Sequence, residues 1–150
     1  MSLESDIQQA KFRNEYQKTV INIIYTSNWI SEQNKKIFER EDITSQQFNI
    51  LRILRGAGKP LSTLQIRQRM LDKMSDTSRI VDRLVKKGLV KKVICKSDRR
   101  LVDVSISDKG MDLLQKLDHA SDEMDSILNK LTVEEAIVLN GLLDKIRSVD

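Results

Sequence analysis

The chain has 150 residues, 39% of them hydrophobic and 32% charged, with a formal net charge of +4. That length suits one domain with one core, and the balance argues against both a disordered chain and a membrane-embedded one. The longest apolar run, 20–25, is interrupted by Asn22, well short of the roughly 20 residues of a spanning helix. With no signal-peptide core at its start, the chain is expected to be cytoplasmic and without membrane contact.

Residues 7–40 are expected to form one long helix, with apolar side chains at Phe12, Tyr16, Val20, Ile23, Ile24, Ile30, Ile37 and Phe38 at helical spacings. A helix of that length cannot bury both ends against a small core, so part of its stripe is expected to face another subunit. Thr44 with Gln47 three residues on has the capping-box pattern and predicts a second helix, whose Phe48, Leu51 and Leu54 share one face. Gly56-Ala57-Gly58 before Lys59-Pro60 should end it through a left-handed cap. Ser62 and Gln65 repeat the box for a short third helix, with Leu61, Ile66 and Met70 inward.

A fourth helix is expected over 75–87, with Ser75 as N-cap and Asp76 in the first turn, where negative charge suits the dipole. Ile80, Val81, Leu84 and Val85 form its apolar face, Thr77, Ser78, Arg79, Arg83 and Lys86 point elsewhere, and Gly88 stops it. The period then changes to two over 89–94 and 101–106, which predicts a β-hairpin whose tip, 95–100, is basic. Ser107-Asp108-Lys109-Gly110 caps a further helix carrying Met111, Leu114 and Leu117. Thr132 with Glu135 opens the last helix, whose broad apolar face comprises Ile137, Leu139, Leu142, Leu143 and Ile146.

Charge is distributed unevenly along this order. Between positions 59 and 100 there are 13 Lys and Arg against four Asp, a net +9, which leaves −5 for the remainder. Such a block points to a polyanion-facing surface or to solvated cations. Two short helices, a helix rich in Ser, Thr and Arg, and a basic hairpin follow the order of a winged helix-turn-helix. A helix of this kind enters the major groove with its N-terminal residues at base edges, and a basic loop beside it reaches the minor groove. The fold class expected is therefore mainly α with a small β-hairpin.

Four segments carry a family resemblance. Ile43-Thr44 through Phe48-Asn49-Ile50-Leu51, then Arg83-Leu84-Val85-Lys86-Lys87-Gly88-Leu89-Val90, then Asp98-Arg99-Arg100, and finally Ser107-Asp108-Lys109-Gly110 occur in order at workable distances. Together they resemble the MarR/SlyA-type bacterial transcriptional regulators. The resemblance implies a single domain with a DNA-binding lobe over about 43–107 and dimerisation helices over about 5–40 and 108–148. It implies a homodimeric repressor on a palindromic double-stranded DNA operator, released by a small-molecule effector. Ser75, Thr77, Ser78 and Arg79 would lie in or over the major groove, with Arg83 and Lys86 nearer phosphates. Arg99 and Arg100 would belong to the wing, Arg100 as its minor-groove finger, and Asp98 would hold the wing's shape by pairing with that arginine. Lys91 and Lys92 stand where many relatives have arginine, and Arg67 where a small residue is common.

Enzyme chemistry finds little support, since nucleophilic or metal sites need several convergent groups and the chain has one histidine and one cysteine. No cofactor, no metal and no catalytic residue is expected. His119 with Asp122 and Glu123 has spacing for a divalent ion, although an exposed polar helix face has the same pattern. Cys95 falls near the wing tip, where oxidation would disturb DNA contact, but a redox switch needs a lowered pKa and usually a partner thiol. A metal or redox sensor on this fold, and a dimeric adaptor whose basic lobe meets an acidic protein, are the alternative readings. Tyr25, Trp29 and Phe48 are large enough for pocket walls or for core, and the effector site is left unassigned.

Overall fold

The computed structural model describes residues 1–94 and 102–149. Its first helix, α1 (Leu3–Asp6), is a single turn closed by reciprocal bonds between Ser2 and Ser5. The long helix α2 (Glu15–Glu39) starts later than its apolar stripe suggests, so the expectation of one helix over 7–40 is corrected. Gln8 takes a left-handed φ of 54°. The Asn14 carboxamide oxygen accepts the Gln17 amide at 2.9 Å, while the Gln17 side chain accepts the Arg13 amide at 2.6 Å. These short polar side chains offer the backbone a local alternative to helix continuation, and Phe12 is left outside the helix. Its ring instead lies 5.7 Å from the Lys18 ammonium.

The capping box at Thr44 and Gln47, with both bonds at 3.1 Å, opens α3 (Ser45–Ala57). Gly58, at φ 64°, closes it by donating to Leu54 O at 3.2 Å. A strand absent from the sequence reading follows: β1 (Leu61–Ser62) pairs antiparallel with a strand about 40 residues later, Leu61 lying opposite Val104. Ser62 then caps α4 (Thr63–Arg69) with Gln65, as expected.

Helix α5 spans Thr77–Lys86, and its N-cap is Asp76 rather than Ser75. Ser75 is drawn into the preceding turn, where its amide donates to Asp72 O at 3.3 Å. Asp76 then stands at the extended-to-helical transition and accepts the Arg79 amide at 3.2 Å. Gly88, at φ 73°, and the Leu89 amide, which donates to Leu84 O at 3.0 Å, end the helix.

Strands β2 (Val90–Ile94) and β3 (Val102–Ile106) form the expected antiparallel hairpin, in register from Val90 opposite Ile106 to Ile94 opposite Val102. With β1 they make a three-stranded sheet in the order β1-β3-β2. Helices α6 (Asp108–Asp118), α7 (Ser121–Ser126) and α8 (Val133–Arg147) complete the described chain, and Thr132 with Glu135 caps α8 as the spacing predicted.

The core collects Ile50, Leu51 and Leu54 from α3, Ile66 from α4, Val81 and Leu84 from α5, Val104 from β3, and Leu114 from α6. Ile37 and Phe38 bring in the end of α2, where Phe38 stacks on Phe48 with centroids 4.5 Å apart. Each such apolar side chain contributes about 1.5–3 kcal/mol of transfer free energy. Phe48 is thus committed to the core edge. The first two-thirds of α2, with Tyr16, Val20, Ile24 and Trp29, is exposed, and α8 buries no residue at all.

Candidate nucleic-acid interface

The ten residues of α5 divide between two faces, with Val85, expected on the apolar side, 36% exposed at their edge. Val81 and Leu84 are buried against the lobe, whereas Ser78, Arg79, Asp82, Arg83 and Lys86 are exposed. Those five positions fall within less than half the helix circumference, since residues four apart lie one above the other. Asp82 would place a negative charge in the middle of this strip. The Lys92 ammonium of β2 offsets it, donating to Asp82 Oδ1 at 2.6 Å. Lys92 is thereby engaged with the helix, and the surrounding field is set by Arg79, Arg83 and Lys86. The Arg79 side chain is held only loosely, its Nε 3.9 Å from Asp76 Oδ2.

Ser78, Arg79, Arg83 and Lys86 are thus brought to one surface. Two other expected groove residues are not. Thr77 is only 3% exposed, turned into the lobe, and Ser75 is half-buried. The hydroxyl oxygens of both are buried without a hydrogen-bond partner, so neither offers a free hydroxyl on the open strip. Position rather than residue type decides this. With Asp76 as N-cap, Thr77 is the first helical residue and falls on the same side as Val81 and Leu84, four and seven residues on. Cys95, Asp98, Arg99 and Arg100 lie outside the described residues.

What aims α5 includes residues that periodicity did not single out. Asn49, on the buried face of α3, accepts the Leu71 amide at 3.0 Å through its side-chain oxygen and so fixes the connection between α4 and α5. A polar residue at a buried helical phase was the available signal. At the other end of α5, the Lys87 ammonium donates to Asp42 O and to Gln47 Oε1. The Ser107 hydroxyl donates to Gly88 O at 2.6 Å while accepting the Gly110 amide at 3.1 Å. Gly110 is required here, because a Cβ would lie 2.3 Å from Leu89 O.

Away from the strip, Arg55 makes two bonds to Asp118, at 2.8 and 3.1 Å, tying α3 to α6. That guanidinium holds the Asp118 carboxyl below its ordinary value, with desolvation opposing. Among the described residues, no three His, Cys, Asp or Glu side chains are placed to hold a metal ion, and Glu123 pairs with Arg40. No helix among them is long and apolar enough to cross a membrane. An open cleft of about 480 Å³ lies between the starts of α4 and α5, lined by residues including Thr63, Leu64, Arg67, Met74 and Ser78.

Comparison with known proteins places this arrangement. The family model for MarR matches residues 43–102, from just before α3 through β2 to the first residue of β3. The HTH-type transcriptional regulator PecS of Dickeya dadantii is 30% identical over 115 residues, covering 74% of this chain and 69% of that protein. A cysteine-to-serine variant of MarR from E. coli, solved with operator DNA, superposes with a TM-score of 0.82 at 22% identity, over 93% of this chain and all of that one. A structure of BpsR from Bordetella bronchiseptica, described as regulated in DNA binding by 6-hydroxynicotinic acid, gives 0.76 at 19% identity, over 85% and 91% of the two chains. The winged-helix fold, the family match and the PecS relationship agree, and the chain belongs to the MarR family of transcription regulators, which are not enzymes.

Proposed function

We propose that the chain is a homodimeric repressor that binds a palindromic operator, one α5 per half-site, with half-sites about 10 to 10.5 base pairs apart. The observation that carries this reading is the exposed strip of Ser78, Arg79, Arg83 and Lys86, backed by a buried face that fixes its direction. Ser78 and Arg79 in the first turn meet base edges, and Arg83 and Lys86 neutralise phosphates with release of counterions. Arg99 and Arg100 extend the contact into the minor groove, with Asp98 shaping the wing.

The residues from about 43 to 107 serve as the DNA-binding lobe, and those over about 5–40 and 108–148 as the dimerisation part. The uncovered apolar residues of α2 and α8 support that division. A lone helix of 15 residues with nothing buried is marginal in water, so α8 needs a partner surface. By analogy with BpsR, a small molecule releases the operator, which requires that it bind the non-competent arrangement more tightly.

The test is fluorescence anisotropy on duplexes enriched from a random library, repeated from low to high salt. Tight binding of two chains to one palindrome, with a steep negative salt slope that flattens in Arg100→Ala, is the expected result. Weak and equal binding to every duplex would overturn it in favour of an adaptor with an electrostatic surface.

A further inference from the structure

The start of α5 carries an exposed apolar pair that the contacts above leave unused. Met74, three residues before the helix, is 92% exposed, and Leu64, the second residue of α4, is 64% exposed. Both line the same cleft, with Thr63, Arg67, Ser75 and Ser78. Large apolar side chains left in water beside a cationic surface are area that binding can cover.

Their neighbours restrict what covers them. Arg67 and Asp76 also line the cleft, Asp76 lying 3.9 Å from the Arg79 side chain. Arg79 and Arg83 on the adjoining face of α5 attract a polyanion, while the residues at the start of a recognition helix are those that reach base edges. Duplex DNA presents one prominent apolar group in the major groove, the 5-methyl of thymine. The geometry points to Met74 and Leu64 as the residues that recognise thymine through this methyl group, beside the bases met by Ser78 and Arg79. The assignment rests on the operator-binding reading. Met74 brings an unbranched, polarizable side chain that adapts to the methyl's position, and Leu64 a branched one across the cleft. Neither forms hydrogen bonds to a base edge, so the pair distinguishes bases by the methyl alone.

Operator duplexes selected for the chain are rebuilt with each thymine replaced singly by uracil, which deletes only that methyl. At one or two thymines per half-site, uracil weakens binding about fourfold, the worth of one buried methyl-sized group. Met74→Ala or Leu64→Ala removes this sensitivity, while Leu71→Ala, also exposed but outside the cleft, retains it. The truncated side chains are exposed, and circular-dichroism melting checks that the variants fold. Operator binding that keeps its steep salt slope yet ignores every thymine-to-uracil change overturns the methyl assignment and leaves operator recognition standing. Sensitivity that persists undiminished in both variants overturns the choice of residues. Failure to enrich any duplex removes the operator reading and this assignment with it.

Discussion

Asn49 reaches from α3 to the Leu71 amide, at 3.0 Å, and is the side chain that ties the α4–α5 connection to the centre of the lobe. Asn49→Ala leaves that amide without its partner, a loss of about 1–3 kcal/mol that is partly offset because the Asn49 carboxamide nitrogen, itself buried without a partner, is removed as well. Urea unfolding of the variant is expected to show such a loss with an unchanged m-value. Operator affinity is expected to fall as well, since the connection sets where α5 begins.

Two glycines give opposite outcomes on replacement by alanine. At Gly110 the new Cβ meets Leu89 O at 2.3 Å and Ile106 Cγ1 at 2.8 Å, so backbone has to move, and a loss of roughly 2–3 kcal/mol is expected. At Gly56, inside α3, nothing lies within 4 Å, and the helix gains about 0.5–1 kcal/mol. Thermal melts of the pair read both signs in one experiment.

Leu142→Asp introduces a charge into the uncovered face of α8. Because that helix buries nothing within one chain, the lobe is expected to keep its melting behaviour while light scattering reports the mass of a single chain in place of two. An unchanged mass would locate the subunit contact elsewhere.

The Arg55–Asp118 pair makes a pH-dependent contribution. Its guanidinium depresses the Asp118 carboxyl below the usual value of 3.8 in the folded chain. Stability from such a group is fully present above the unfolded pKa and is lost as pH falls through the folded one. The difference in unfolding free energy between the natural chain and Asp118→Asn is therefore expected to be constant near neutrality and to shrink below pH 3.8. Since Asp118 is more than half exposed, the difference stays below about 1 kcal/mol.

Arg83→Ala and Ser78→Ala separate phosphate contact from base reading. Removing Arg83 is expected to weaken all duplexes about equally and to reduce the salt slope by about one. Removing the Ser78 hydroxyl is expected to leave the slope unchanged and to relax preference at one position per half-site. Competition anisotropy with single-position operator variants resolves the two patterns.

Elements with local causes were legible in the sequence. Thr44 with Gln47, Ser62 with Gln65, and Thr132 with Glu135 satisfy helix-end amides over three residues, and the alternation after Gly88 marks the hairpin. Features with distant causes were not. Two residues of β1 carry no period, and only Val104, far along the chain, makes them a strand. Periodicity drew the first helix through Phe12 because it counts apolar positions and is blind to the Asn14 cap. At α5 the helix itself was legible, but Thr77, four and seven residues before Val81 and Leu84, falls on their side and is buried, while Val85, expected on the apolar face, is 36% exposed. Asn49 was visible as a residue and not as a contact, because its partner is a backbone amide 22 positions away.

The Ser107 hydroxyl serves two segments at once, receiving the first turn of α6 and giving its proton to the last carbonyl after α5. The Lys109 ammonium adds a second link, donating to Lys87 O at 2.9 Å. Gly110 packs close to the Leu89 carbonyl, so the first turn of α6 also meets the chain just after α5. A substitution at Ser107 or Gly110 is therefore expected to disturb the end of α5 and the start of α6 together.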